Sequence, residues 1–269
     1  MFFKSAGNPH FLVLSAVLQL IISATGCSVR EDRDLCPCVL SLDFSDNDSD
    51  MLEDGIFVMV RSSDKDVQFS VMDTVTVPLW AEVVPRTELR VVSVWPAGVQ
   101  SCAVENGDVG QALVLIRPGE ECPEVWMDSK TVSASGETEC ENMTVHKNFC
   151  RLSVSVINAS GTEFPYRMEI RGNVSGYGSD GYPMKGMFIS PVVESVRIPR
   201  QLDNTLMLDI ISEDDSCRSF AVGNYIEASG YDWTSPDLKD ISMEIDYSET
   251  GLSFKIGAWQ KSVNFEVVI

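Results

Sequence analysis

ISMEIDYSETGLSFKIGAWQKSVNFEVVI, residues 241–269, alternates apolar and polar residues almost without a break. Ile241, Met243, Ile245 and Tyr247 oppose Ser242, Glu244 and Asp246. Leu252, Phe254 and Ile256 oppose Ser253 and Lys255. Val263, Phe265, Val267 and Ile269 oppose Ser262, Asn264 and Glu266. A period of two places one set on each face of an extended strand. Glu249-Thr250-Gly251 separates the first two runs as a hairpin loop does. The stretch therefore reads as consecutive half-buried strands.

The same period recurs upstream. Cys38, Leu40, Leu42 and Phe44 share a face opposite Ser41 and Asp43. Ile56–Val60 is an apolar run of strand length. Residues 67–72 and 74–80 are rich in β-formers, with Pro78 and Pro85 marking an edge or a strand end. Residues 89–95, 112–116, 192–198, 206–211 and 219–222 read as further strands; 125–127 and 131–133 are weaker ones. Leu152, Val154 and Val156 alternate, as do Met168 and Ile170. Residues 172–186 read as a glycine-rich loop, and 46–50 as an acidic one. The pattern lapses over 134–142, ASGETECEN, which is either a long loop or the approach to a boundary. Beyond the N-terminal segment no stretch sustains a helical stripe over three turns. Many short strands with regular turn signals predict an all-β sandwich or barrel. No internal sequence repeat is visible.

The N-terminus is of another kind. Phe11–Ala24 is an apolar run preceded by Lys4 and closed by Gly26 and Cys27, after which residues 30–34, REDRD, switch to charge. This is the layout of a secretory signal peptide. The run is shorter than the roughly 20 residues a bilayer-spanning helix needs. Ala24-Thr25-Gly26-Cys27 resembles a bacterial lipobox, which makes Cys27 the expected lipid attachment site. Two or more acyl chains anchor stably where one binds marginally. An ordinary signal peptide cut nearby would instead leave Cys27 free for a disulfide.

The 269 residues carry 20 Lys+Arg against 40 Asp+Glu, a formal net charge of −20. Lys4 is the one charge in residues 1–26, so cleavage makes the remainder more acidic still. Such a surface repels nucleic-acid phosphate and anionic lipid. Apolar content of 44% is that of a folded protein. Besides Cys27 there are Cys36, Cys38, Cys102, Cys122, Cys140, Cys150 and Cys217. An odd set leaves at least one thiol unpaired in a monomer. Cys102 and Cys122 flank the strand 112–116 and its turns, which makes them a candidate disulfide. Cys36-Pro37-Cys38 has one intervening residue, not the two of thioredoxin-like motifs.

Candidate chemistry is sparse. His146 is the one histidine outside the signal segment, so it alone could serve a Ser-His-Asp or Cys-His pair; a surface or boundary role fits its position better. Asp46, Asp48 and Asp50 have odd-position spacing, but Met51 and Phe57 stand where a calcium-binding loop needs Gly and Glu. The glycines at 172–186 match no phosphate-binding pattern. Tyr177, Tyr182, Tyr231 and Trp233 are candidates for stacking on sugar, with turn and core packing as the alternative. No catalytic residue, metal site or cofactor is expected.

Cys27-Ser28 followed by Glu31, Asp32 and Asp34, then Cys36-Pro37-Cys38 and an alternating strand ending in Asp43-Phe44, resembles the start of the mature fimbrillin-A-associated anchor proteins of Bacteroides-type bacteria. Residues 146–151, HKNFCR, before an alternating strand, residues 238–240, LKD, before another, and Trp259 add to the resemblance. It implies two consecutive transthyretin-like β-sandwich domains after a cleaved lipoprotein signal peptide. The divisions are 1–26 (signal peptide), 27–35 (lipidated tether), 36–147 (first sandwich) and 148–269 (second). Ser28 with Glu31, Asp32 and Asp34 looks like a surface-export signal. The implied role is a non-enzymatic outer-membrane lipoprotein that anchors or caps the base of a fimbria. Its partners would be fimbrial stalk subunits and the outer membrane, through lipid on Cys27, and not nucleic acid. A surface glycan-binding lipoprotein is the alternative, and a two-carboxylate glycan hydrolase a third reading. The resemblance also raises strand donation to a neighbouring subunit. The run 262–269 is expected to complete its own sandwich rather than leave it, since donation would expose a sticky edge.

Overall fold

The alternation at residues 38–43 becomes strand β1 (Cys38–Asp43), with Cys38, Leu40 and Leu42 buried and Val39 exposed. The computed structural model describes residues 36–99, 112–157, 164–248, 251–258 and 261–268. After β1 come helix α1 (Ser49–Asp54), β2 (Ile56–Ser62), β3 (Ser70–Val75), β4 (Leu79–Val84), β5 (Glu88–Trp95), β6 (Ala112–Leu115), β7 (Trp126–Ser133), β8 (Thr138–Asn142) and β9 (His146–Lys147). The second half holds β10 (Phe149–Ile157), β11 (Arg167–Gly178), β12 (Pro183–Val192), β13 (Ser195–Pro199), β14 (Met207–Ile211) and β15 (Cys217–Phe220). Helix α2 (Val222–Ala228), β16 (Ile241–Ser248), β17 (Gly251–Ala258) and β18 (Lys261–Val268) complete it. The fold is an all-β sandwich, as the alternation predicts.

The described residues form four sheets, in the orders β4-β1-β8, β3-β2-β5-β7-β9, β12-β11-β14-β15 and β13-β10-β16-β17-β18, with β6 added to β11. The orders repeat. β1 lies between antiparallel β4 and parallel β8; β10 lies between antiparallel β13 and parallel β16. The facing sheets run β3-β2-β5-β7 and β12-β11-β14-β15. One seven-strand plan is thus used twice, although the sequence shows no repeat. Alternation constrains only which positions are apolar, so two unrelated sequences can satisfy one plan. The second copy is larger: β17 and β18 continue the sheet past β16, whereas β8 is the last described strand of its own.

Among the described residues, buried side chains fall into two clusters. The smaller lies between the first two sheets and includes Leu40, Leu42, Val58, Val60, Leu89 and Val91. The larger lies among the strands of the second half, with Leu152, Ile170, Ile198, Leu208 and Met243, and reaches back to Phe57, Met59, Val92, Val94 and Met127. Sheet β3-β2-β5-β7-β9 therefore buries apolar side chains on both faces. This explains why 56–60 reads as a continuous apolar run instead of an alternating one: every residue from Ile56 to Val60 is buried. Complete burial of each such Val or Leu is worth about 1.5–3 kcal/mol.

Three local expectations change. Residues 172–186 are not a loop but lie in the long hairpin β11–β12, with register shifts either side of Val174. Its glycines are there because other chain comes close: a Cβ on Gly176, at φ 152°, would meet Val114 O of β6 at 2.1 Å. Residues 134–142 contain β8, an edge strand with no buried residue and hence no apolar signal. The acidic loop at 46–50 runs into α1, which buries Leu52.

Candidate functional site

The described residues hold no catalytic constellation; the densest polar network lies where the first half of the chain passes into the second. β9 ends at Lys147 and β10 begins at Phe149, so Asn148 alone links them. The Asn148 amide donates to Val125 O at 3.0 Å, and its carbonyl accepts from the Arg200 amide at 3.1 Å and from the Tyr177 hydroxyl. Its side-chain Nδ2 donates to His146 O at 2.9 Å while Oδ1 accepts from Arg200 Nε at 2.9 Å. The same guanidinium donates to Ser235 O at 2.7 Å and Pro236 O at 2.8 Å. Burial lowers the Arg200 pKa, and carbonyl oxygens take up its N–H groups.

The loop before β16 grips the same segment. The Lys147 amide donates to Asp237 Oδ1 at 2.7 Å, and the Leu238 amide to Lys147 O at 3.0 Å. Asp240 Oδ1 accepts from Lys147 Nζ at 2.7 Å and from the Arg151 amide at 2.9 Å. Burial works against the Asp240 charge, but these bonds outweigh it and hold its carboxyl below the usual range. The two motifs 146–151 and 238–240 are thus brought into direct contact; Trp259, quoted with them, lies outside the described residues. His146 Nδ1 sits 3.1 Å from Asp237 Oδ2 at this boundary, and among the described residues no serine or cysteine side chain bonds to it.

Aromatic contacts run through the same place. Trp95 meets Trp126 edge-on at 4.8 Å, and Trp126 meets Phe149 at 5.0 Å. Lys147 Nζ lies 4.9 Å from the Phe149 ring centre. Trp126 touches both hydrophobic clusters, so it couples them.

A second contact between the halves is the tip of hairpin β11–β12. Gly181, at φ 80°, turns against Ser129 of β7, whose Oγ donates to Asp180 O at 2.6 Å. Arg61 Nη1 donates to Ser179 Oγ at 2.8 Å. Tyr182 stands on this tip, 55% exposed, with the Arg90 guanidinium 5.4 Å from its ring centre.

Of the sequence-derived candidates, Cys27, Ser28, Glu31, Asp32, Asp34 and Cys102 lie outside the described residues. Cys122 is fully buried, and burial first, then the nearby Cys150, pushes its thiol well up. Burial takes the Cys150 thiol up to about 12. Neither is a ready nucleophile. The sugar-stacking reading fails for three of its four aromatics: Tyr177, Tyr231 and Trp233 are buried, the last two packed ring to ring at 4.7 Å. Among the described residues no group of three His, Cys, Asp or Glu converges as a metal site. Asn47, between two of the acidic residues, instead bonds Phe44 O, Met143 O and the Val145 amide. Also among them, no helix is long and apolar enough to cross a membrane. Sequence reading missed Arg200 and Asp237, took Asn148 only as part of the stretch 146–151, and gave Tyr177 a sugar-stacking role where its hydroxyl bonds Asn148 O and the Arg200 amide; nothing local marks a residue whose partners lie dozens of positions away.

No protein-family model matches the chain, and no curated protein matches it in sequence. Solved structures do. A candidate polysaccharide-binding protein from Bacteroides thetaiotaomicron aligns at TM-score 0.60 and 12% identity, over 85% of this chain and 98% of that one. The fimbrial anchor protein of Porphyromonas gingivalis aligns at 0.59 and 12%, over 85% and 100%. A candidate adhesin from Bacteroides ovatus aligns at 0.58 and 13%, over 88% and 97%. The chain shares its fold with these three across nearly their whole length.

Proposed function

We propose that this chain is a surface lipoprotein that anchors or caps the base of a fimbria, acting by binding and not by catalysis. The observation that carries the reading is the agreement in fold with a fimbrial anchor protein over that protein's full length. The contact between residues 146–151 and 238–240 supports it, since those stretches carry the sequence resemblance. Lipid on Cys27 would supply the outer-membrane attachment, with Ser28, Glu31, Asp32 and Asp34 directing surface export. The two sandwiches are taken as domains 36–147 and 148–269, and Cys102–Cys122 as a disulfide. Affinity-tagged protein purified from its own host should carry fimbrial stalk subunits with it. A fatty-acid probe should label the native chain and not Cys27→Ala. Recovery without any fimbrial subunit would overturn the anchoring reading; equal labelling of the variant would overturn the lipid site.

A further inference from the structure

Arg61 of β2 and Arg90 of β5 stand directly opposite each other in the sheet register. Like charges placed so repel, and such a pair is a cost to the folded state. The chain has twice as many acidic as basic residues, so carboxylate partners are abundant. Even so, among the described residues neither guanidinium lies within ion-pair distance of a carboxylate. Arg61 donates to the Ser179 hydroxyl at 2.8 Å, and Arg90 reaches the Ser129 hydroxyl at 3.4 Å. Asp180 is the carboxylate whose field bears on Arg61; its Oδ1 accepts from the Tyr182 amide at 3.1 Å. Partial burial disfavours the charged form of Arg61 most, Asp180 then favours it, and the Arg90 charge disfavours it by less.

The pair belongs to a polar row. Arg61 is also the register partner of Ser70 on β3, and Arg90 of Thr131 on β7. Register partners share a face, so Ser70, Arg61, Arg90 and Thr131 line one row across four strands. In the next row Met59 and Val92 are buried in the core, between Ser129 and the exposed Met72. At the side of the polar row the hairpin tip brings up Tyr182, half of it open to solvent, with Arg90 over one face of its ring.

We infer that Arg61, Arg90 and Tyr182 form a binding site for an acidic sugar, a uronate or sulfated unit of a polysaccharide. Two adjacent guanidiniums fit the oxygens of a carboxylate or sulfate, each able to donate in fork geometry. The bound anion removes the repulsion between them. The Ser70 and Thr131 hydroxyls offer donors and acceptors for ring hydroxyl groups. The open part of the Tyr182 ring offers an apolar surface for the C–H face of the sugar. The aromatic ring and the hydroxyl row favour a sugar over an acidic peptide, for which the arginines alone would suffice.

The test is titration of the full chain with oligogalacturonate and with a sulfated heparin oligosaccharide. Neutral dextran oligosaccharide and polyglutamate serve as comparisons. One of the two acidic sugars should bind, dextran should not, and polyglutamate should bind at least tenfold more weakly. Arg90→Gln and Tyr182→Ala should each lose tenfold or more in affinity. Without sugar, Arg90→Gln should melt no lower than the native chain, since the change relieves repulsion; this separates lost binding from lost fold. Absence of binding to both acidic sugars would refute the site, as would affinity unchanged in both variants. Polyglutamate binding as tightly as the sugar would make it an acidic-peptide site and overturn the assignment. Fimbrial recovery is a separate readout, so the anchoring reading and this one can fail independently.

Discussion

Lys147 donates its backbone amide to Asp237 Oδ1 at 2.7 Å, joining the last strand of the first half to the loop that leads into β16. The residues are 90 positions apart in sequence, yet their contact fixes the path of the chain through Asn148. Asp237→Ala removes this acceptor and the partner of His146 together. Loss of a hydrogen bond to a charged acceptor costs about 1.5–3 kcal/mol. Urea unfolding should show a lower midpoint for the variant, with an unchanged slope.

Asp240 gives the junction an acid limit. Its carboxyl is held below the ordinary 3.8 in the folded state. The stability it contributes is therefore complete above 3.8 and is lost as pH falls through the folded value. Asp240→Asn should lower stability at neutral pH and flatten the fall below 3.8. Melting temperatures of both proteins across that range would check this; parallel curves would rule the linkage out.

Gly176 and Gly230 separate two kinds of backbone constraint. Both have positive φ, 152° and 86°, but a Cβ at Gly230 meets nothing within 4 Å while one at Gly176 runs into Val114 O. Gly230→Ala should cost about 1–2 kcal/mol, the price of a left-handed residue. Gly176→Ala must also push β6 from β11, so its loss should be larger and should expose β6 to hydrogen exchange. Similar melting temperatures for the two variants would contradict the close approach.

Trp126 touches both clusters, and its replacement should uncouple them. Trp126→Ala is expected to cost about 3–5 kcal/mol. A single calorimetric transition in the native chain should broaden or split in the variant, because each half would then melt with less help from the other.

β18 pairs with β17 along its whole length, Gly251 with Val268 through Ala258 with Lys261. Truncation after residue 260 should lower the melting temperature, since β17 would become an unprotected edge. A truncated chain with unchanged melting that no longer retained fimbrial subunits would instead point to donation of this strand.

The strands at 38–43, 149–157 and 241–268 were legible because each alternates. β2 and β8 were harder for opposite reasons. β2 is covered on both faces and shows no polar set, whereas β8 buries no residue fully and shows no apolar one. Residues 172–186 read as a loop because glycine is common in loops; here it permits β6 and Gln201 to pack against a strand. Residues 219–222 read as strand, but the chain enters α2 at Val222. At the junction, residues 146–151 and 238–240 were visible as stretches, while Arg200 was not, because its partners are carbonyls on distant segments. The facing of Arg61 and Arg90 depends on register, which no local pattern records.

The single-residue link at Asn148 has a mechanical consequence. A tensile load applied to the two ends of the chain passes through that residue, yet no slack is available there to extend. The Asn148 peptide groups are bonded to Val125, Tyr177 and Arg200, and the next sheet inward is packed on both faces. Pulling must shear several bonds at once and strip apolar surface from Phe57, Met59 and Val94 before the halves part. A joint built this way transmits force as a stiff rod does, and any give under tension has to come from segments outside it.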